Sequence, residues 1–119
     1  MVIQAPSDPL STFRPGLFAD TVTLVTGGGT GIGRATAHGF ARLGSDLVLA
    51  GRRGDLLESA AAEIAEQYGR RVLAVQTNIR DPESVEALRD AAYAEFGRVD
   101  TLVNNAGGNF LLATHFRDT

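Results

Sequence analysis

Thr21-Val-Thr-Leu-Val-Thr-Gly-Gly-Gly-Thr-Gly-Ile-Gly33 joins an apolar run, Thr21 to Val25, to a glycine-rich segment that opens an amphipathic helical pattern. Strand, tight turn and helix in that order are how a chain builds a dinucleotide phosphate site. Glycines at 27, 31 and 33 let the backbone turn sharply and approach a pyrophosphate, while the helix that follows offers free N–H groups and the positive end of its dipole to the anion. A nucleoside triphosphate loop would require Gly-Lys-Ser/Thr at its end, and Gly33 is followed instead by Arg34-Ala35. The segment names a class of cofactor, not a reaction.

Outward from this loop, apolar and polar segments alternate in a βαβαβαβ rhythm. Strand one is Thr21 to Val25. A first helix, Ile32 to Leu43, sets Ile32, Ala35, Thr36, Gly39, Phe40 and Leu43 at helical spacing and stops at Gly44. The continuous run Leu47 to Ala50 suits a parallel strand covered on both faces. A second helix, Asp55 to Tyr68, repeats apolar residues at Leu56, Ala60, Ile64 and Tyr68 and ends at Gly69. Strand three is Val72 to Gln76. Asp81-Pro82 provides an N-cap and a first-position proline for a third helix with Val85, Leu88, Ala92 and Phe96 on one face, closed by Gly97. Thr101 to Val103 is strand four.

Right-handed crossovers give a Rossmann-type α/β fold, a parallel sheet of order 3-2-1-4 with helices on both faces. Residues 1–17, with Pro6, Pro9 and Pro15, read as an irregular lead-in, and residues 18–119 as the N-terminal part of a dinucleotide-binding domain. Only the helix from Asp81 to Phe96 is available for the second face, so the fold reads as cut short after strand four. Strand four is then an edge normally covered, which predicts self-association.

The 119 residues are 44% hydrophobic and 21% charged, the balance of an ordinary globular domain. A net charge of −3 with scattered arginines argues against nucleic acid. There is no cysteine, hence no disulfide, no thiolate nucleophile and no cysteine-ligated metal. The N-terminus lacks the apolar core of a signal peptide, and no run reaches the ~20 apolar residues of a membrane span. A cytoplasmic setting without membrane association is expected. All eleven basic residues are arginine, which excludes any mechanism that needs a lysine from this chain.

Cofactor choice is read at the tip of strand two, where an acidic residue would bind the ribose 2′-hydroxyl of NAD and repel a 2′-phosphate. That tip is Gly51-Arg52-Arg53. Two guanidiniums there can pair with a phosphate by charge-assisted hydrogen bonds, so the expected cofactor is NADP(H). The alternative is that both arginines only solvate the loop. Arg34, on the first helix, reads as a surface residue.

Thr26-Gly-Gly-Gly-Thr-Gly-Ile-Gly33 together with Asn104-Asn-Ala-Gly107 resembles the short-chain dehydrogenase/reductase family, over its N-terminal half. The resemblance implies a cofactor site formed by Gly27, Gly28, Gly29, Thr30, Gly31, Ile32 and Gly33, with Gly27, Gly31, Ile32 and Gly33 on the pyrophosphate. It implies Arg52 on the 2′-phosphate, and Asn105, Ala106 and Gly107 near the cofactor ribose. Where the family usually has Asp-Val beside the adenine, this chain has Asn78-Ile79, which keeps a polar group and a free backbone N–H but removes the charge. Within the family, Gln76-Thr-Asn-Ile-Arg80, Asn104 to Phe110 and Phe13-Arg-Pro-Gly-Leu-Phe18 resemble the enoyl- and dienoyl-CoA reductases of fatty acyl thioesters. That likeness implies an acyl-CoA substrate, touched by Arg80 at the CoA phosphates and Phe110 at the acyl or nicotinamide side. Arg80 also reads as the residue preceding the Asp81 cap, and Phe110 as core.

The family moves protons with a Tyr-x-x-x-Lys pair and an upstream serine. Here Tyr68 is followed four residues on by Val72, and Tyr93 by Gly97. Both tyrosines read as packing residues. His38 and His115 lack a paired carboxylate in the sequence pattern and read as surface residues. No catalytic residue and no metal ligand is assigned. Two functions are open: the NADP(H)-binding portion of an enoyl- or dienoyl-CoA reductase that is inactive alone and homo-oligomeric when complete, or a non-catalytic cofactor- or partner-binding module.

Overall fold

The computed structural model describes residues 8–105. A short 3-10 helix, Pro9–Thr12, precedes β1 (Val22–Thr26), α1 (Gly31–Arg42), β2 (Asp46–Gly51), α2 (Gly54–Tyr68), β3 (Val72–Gln76), α3 (Pro82–Phe96) and β4 (Thr101–Val103). Every expected element is present, with ends shifted by at most one residue. The strands form one parallel sheet in the order β3-β2-β1-β4. β1 pairs Val22 with Asp46 on one side and Thr23 with Thr101 on the other, so the chain crosses over in opposite directions from β1.

Side-chain alternation along β2 divides the interior into two cores. Leu47 and Leu49 point with Val25 toward α1 and α2, where they meet Ala37, Ala41, Leu57, Ala60 and Ile64. Val48 and Ala50 point the other way with Val22 and Leu24, against Leu88 and Ala92 of α3. All four β2 side chains are fully buried, as expected for a central parallel strand. The polar groups sharing this interior are satisfied: Thr23 Oγ1 and Ser45 Oγ lie 2.8 Å apart, both on fully buried residues.

The inward face of α1 differs from the expected stripe. Gly33, Ala37 and Ala41 are its buried residues, Phe40 packs partly buried beside them, while Ala35 is exposed and Ile32 is 77% exposed. The cause is steric. A β-carbon at Gly33 would lie 2.0 Å from the Gly27 carbonyl oxygen, so α1 starts in direct backbone contact with the loop before it. From that origin the i, i+4, i+8 row of smallest residues lies on the sheet, and Ile32 turns outward.

α2 buries Leu57, Ala60, Ala61 and Ile64, with Leu56 only partly covered. α3 buries Leu88 and Ala92, but Val85 is 41% exposed and Tyr93, expected as a packing residue, is 51% exposed. Asp81 caps α3 by accepting from the Glu83 N–H at 3.0 Å, with proline at the first position as the sequence indicates.

The described part of the lead-in, residues 8–17, is more ordered than expected. Its 3-10 helix is capped by Asp8, whose carboxylate also pairs with Arg42 at the end of α1. Phe18 stacks tilted on Phe40 with ring centroids 4.9 Å apart. Among the described residues no helix is long and apolar enough to cross a membrane.

Candidate dinucleotide site

The loop from Gly27 to Thr30 lies at the carboxyl end of the sheet, where the crossovers from β1 diverge. Such a switch point opens a crevice between adjacent strand-to-helix turns. Here it holds a cleft of about 380 Å³ lined by Gly27, Gly29 and Thr30, by Gly51 to Arg53 with Leu56 and Leu57, by Thr77 to Arg80, and by Asn105.

Each wall has a local cause. Gly27 N–H donates to the Ala50 carbonyl at 2.7 Å, fastening the first turn to the end of β2. Gly31, expected on the pyrophosphate, does not line the cleft; it has φ +56° with open space where a side chain would project. Thr30 makes no side-chain cap bond, which leaves the first-turn N–H groups of α1 without that partner. Asn105 is fixed from below: its N–H donates to Thr26 Oγ1 at 2.9 Å, and the Thr26 hydroxyl in turn reaches Asn104 Oδ1 at 3.3 Å.

The electrostatics are one-sided. Arg52, Arg53 and Arg80 line the cleft, and no Asp or Glu does. Arg53 has Asp55 at 3.8 Å, both well exposed, whereas no carboxylate among the described residues pairs with Arg52. A bare helix start and three guanidiniums together can hold a ligand with several phosphate charges.

Of the residues expected at the site, Gly27, Gly29, Thr30, Arg52, Asn78, Ile79, Arg80 and Asn105 share this cleft. Gly28 is instead buried, a β-carbon there meeting Leu49 at 2.9 Å. Gly33 lies beneath the loop and Ile32 points to solvent, neither lining the cleft. Ala106, Gly107 and Phe110 fall outside the described residues, as does His115. The N–H of Asn78 is not free: it donates to Ser84 Oγ at 2.8 Å, and Asn78 Oδ1 accepts from the Arg80 N–H at 3.1 Å. The backbone of residues 78–80 and the Asn78 side chain are thereby held in a local turn. Sequence reasoning missed Leu56, Leu57 and Thr77 as lining residues. The signal for Thr77 was its place one residue beyond β3, level with the arginine tip of β2.

His38 does have a carboxylate partner. Its Nε2 lies 3.0 Å from Glu63 Oε2 and its Nδ1 lies 3.0 Å from the Tyr68 hydroxyl, and Arg34 also pairs with Glu63. The Arg34 guanidinium, then His38, hold the Glu63 carboxyl below its ordinary range. This cluster sits on the outer side of α1 and α2. Neither tyrosine lines the cleft, and among the described residues no group of His, Asp and Glu could hold a metal.

The profile of the short chain dehydrogenase family matches residues 21–118. A peroxisomal 2,4-dienoyl-CoA reductase of Danio rerio is 42% identical over 99 residues, covering 83% of this chain and 33% of the relative. Among solved structures, a citronellol catabolism dehydrogenase of Pseudomonas aeruginosa superposes with a TM-score of 0.76 at 46% identity, over 88% of this chain and 44% of that one. The L-sorbose reductase of Gluconobacter frateurii, complexed with NADPH and L-sorbose, gives 0.74 at 37% identity, over 84% and 39%. The chain spans about a third of the length of the curated relatives it matches.

Proposed function

The chain belongs to the short-chain dehydrogenase family, and on that premise we propose that it is the NADP(H)-binding portion of a reductase acting on enoyl- or dienoyl-CoA thioesters. The observation that carries the cofactor choice is the tip of β2: Arg52 lines the cleft, and no carboxylate among the described residues pairs with it or lines the cleft. A carboxylate at this tip would favour a ribose hydroxyl, whereas a guanidinium favours the 2′-phosphate. Gly27, Gly29 and the first turn of α1 take the pyrophosphate, Asn78 and Ile79 flank the adenine, and Asn105 lies beside the ribose. When bound, the cofactor supplies the hydride.

Residues 18–119 act as the dinucleotide-binding part, and residues 1–17 as a lead-in in which Asp8 pairs with Arg42 of α1. The substrate assignment follows the dienoyl-CoA reductase relatives, and Arg80 at the cleft wall is the residue placed on the CoA phosphates. The remaining catalytic groups are not supplied by these 119 residues, since Tyr68 and Tyr93 lack the lysine and the position. An assembled homo-oligomer in an aqueous compartment is the setting this reading implies, the cytoplasm or the peroxisomal matrix that the relatives' names indicate.

Titration of the 119-residue chain with NADPH and NADH, followed by nicotinamide fluorescence, tests the assignment. NADPH is expected to bind more tightly, and Arg52→Ala to lower that preference by on the order of tenfold to a hundredfold, the worth of a charge-assisted contact. Equal affinities in the unsubstituted chain would overturn it.

A further inference from the structure

The turn that carries Arg52 is held from the neighbouring strand as well as by the first bond of α2, in which Leu57 N–H donates to the Arg53 carbonyl at 3.0 Å. Arg53, at the N-cap of α2, makes no side-chain cap bond. Instead, two successive carbonyls of the turn are taken up by two successive residues at the end of β3. Thr77 N–H donates to the Gly51 carbonyl at 2.7 Å, and Gln76 Nε2 donates to the Arg52 carbonyl at 3.1 Å. The first of these bonds continues the sheet ladder, and the second depends wholly on one side chain.

The geometry of that side chain is specific. Gln76 stands in register with Gly51, so its amide crosses a single strand spacing to reach the next carbonyl. A carbonyl can only accept, which orients the amide with nitrogen toward Arg52 and oxygen toward the start of α2. There Gly54 closes over it: a β-carbon on Gly54 would lie 3.4 Å from Gln76 Oε1 and 3.6 Å from its Cδ. Gln76 is exposed and contributes nothing to either core, so packing does not account for it. It lines a recess with Arg52, Thr77 and Asn78, residues that also line the main cleft.

We propose that Gln76 is a positioning residue for Arg52: by fixing the Arg52 carbonyl it sets where the guanidinium stands, and so determines preference for the 2′-phosphorylated dinucleotide. This rests on Arg52 being the 2′-phosphate ligand. Gln76→Met keeps the length of the side chain and removes the donor. It is expected to lower the ratio of NADPH to NADH affinity by about three- to tenfold, the effect of one neutral hydrogen bond, while leaving NADH affinity unchanged and the chain folded. In an Arg52→Ala background the same substitution is expected to leave the ratio unaltered, because its effect passes through Arg52.

If Arg52→Ala abolishes the preference and Gln76→Met leaves it intact, the Gln76 assignment is overturned and the Arg52 reading stands. Equal weakening of both dinucleotides by Gln76→Met would make the residue merely structural and also overturn it. An unsubstituted chain with no preference would remove the Arg52 reading and the proposal together.

Discussion

At Gly33 a single methyl group would meet the Gly27 carbonyl oxygen at 2.0 Å and Asn105 Nδ2 at 2.7 Å. Two pieces of the site thus close on one missing side chain, and the Gly27 backbone cannot yield as a flexible side chain would. Gly33→Ala is expected to destabilise the fold by at least the ~1–3 kcal/mol typical of overpacking and to weaken both dinucleotides, measurable by urea denaturation and by titration. Asp100 behaves differently, since its role is electrostatic. Its carboxyl is held below the ordinary value of 3.8 by the Arg98 guanidinium and then by the Val22 N–H at the start of β1. A lowered folded value means that the carboxylate stabilises the fold above its unfolded pKa and that this contribution is lost as pH falls through the folded value. Asp100→Asn is therefore expected to be less stable than the parent at neutral pH, with the difference shrinking on acidification below about pH 4, as read from denaturation midpoints. Much of the site was legible at this scale, because the glycine spacing and the arginine tip of β2 are chemical statements in themselves. Gln76 was not, since its role is a bond to a neighbour's backbone that no local pattern encodes.

At the scale of elements, the sheet order and the ends of α2 and α3 followed from short crossovers and from Gly69 and Gly97, both left-handed at the helix ends. The face of α1 did not follow. Bulk apolar residues suggested a stripe through Ile32, whereas the close approach at Gly33 selected the smallest residues, Ala37 and Ala41, for the sheet side. This gives a paired expectation. Ala37→Leu, at a fully buried position, should cost ~1–3 kcal/mol, whereas Ile32→Gln, at a position 77% exposed, should fall within about 0.5 kcal/mol of the parent. Comparable losses from both would return α1 to the expected stripe. β2 was legible from the start, because four consecutive apolar residues between turn signals suit a strand covered on both faces.

At the scale of the molecule, the two faces of the sheet are covered unequally, by α1 and α2 on one side and by α3 on the other. Leu102 on β4 is 63% exposed, and among the described residues nothing pairs with the outer edge of that strand. The 119-residue chain is therefore expected to self-associate, and Leu102→Lys to shift it toward monomer in sedimentation velocity. A sharp monomer from the unsubstituted chain would contradict this. On the proposed reading the chain is expected to bind NADPH without turning over an enoyl-CoA, and turnover above background would contradict that reading. The central claim is the place of the 2′-phosphate, and a crystal structure of the chain with NADP⁺ measures it directly. The account predicts the pyrophosphate over the start of α1 and the 2′-phosphate hydrogen-bonded to the Arg52 guanidinium. A 2′-phosphate turned to solvent, with Arg52 uninvolved, would contradict it.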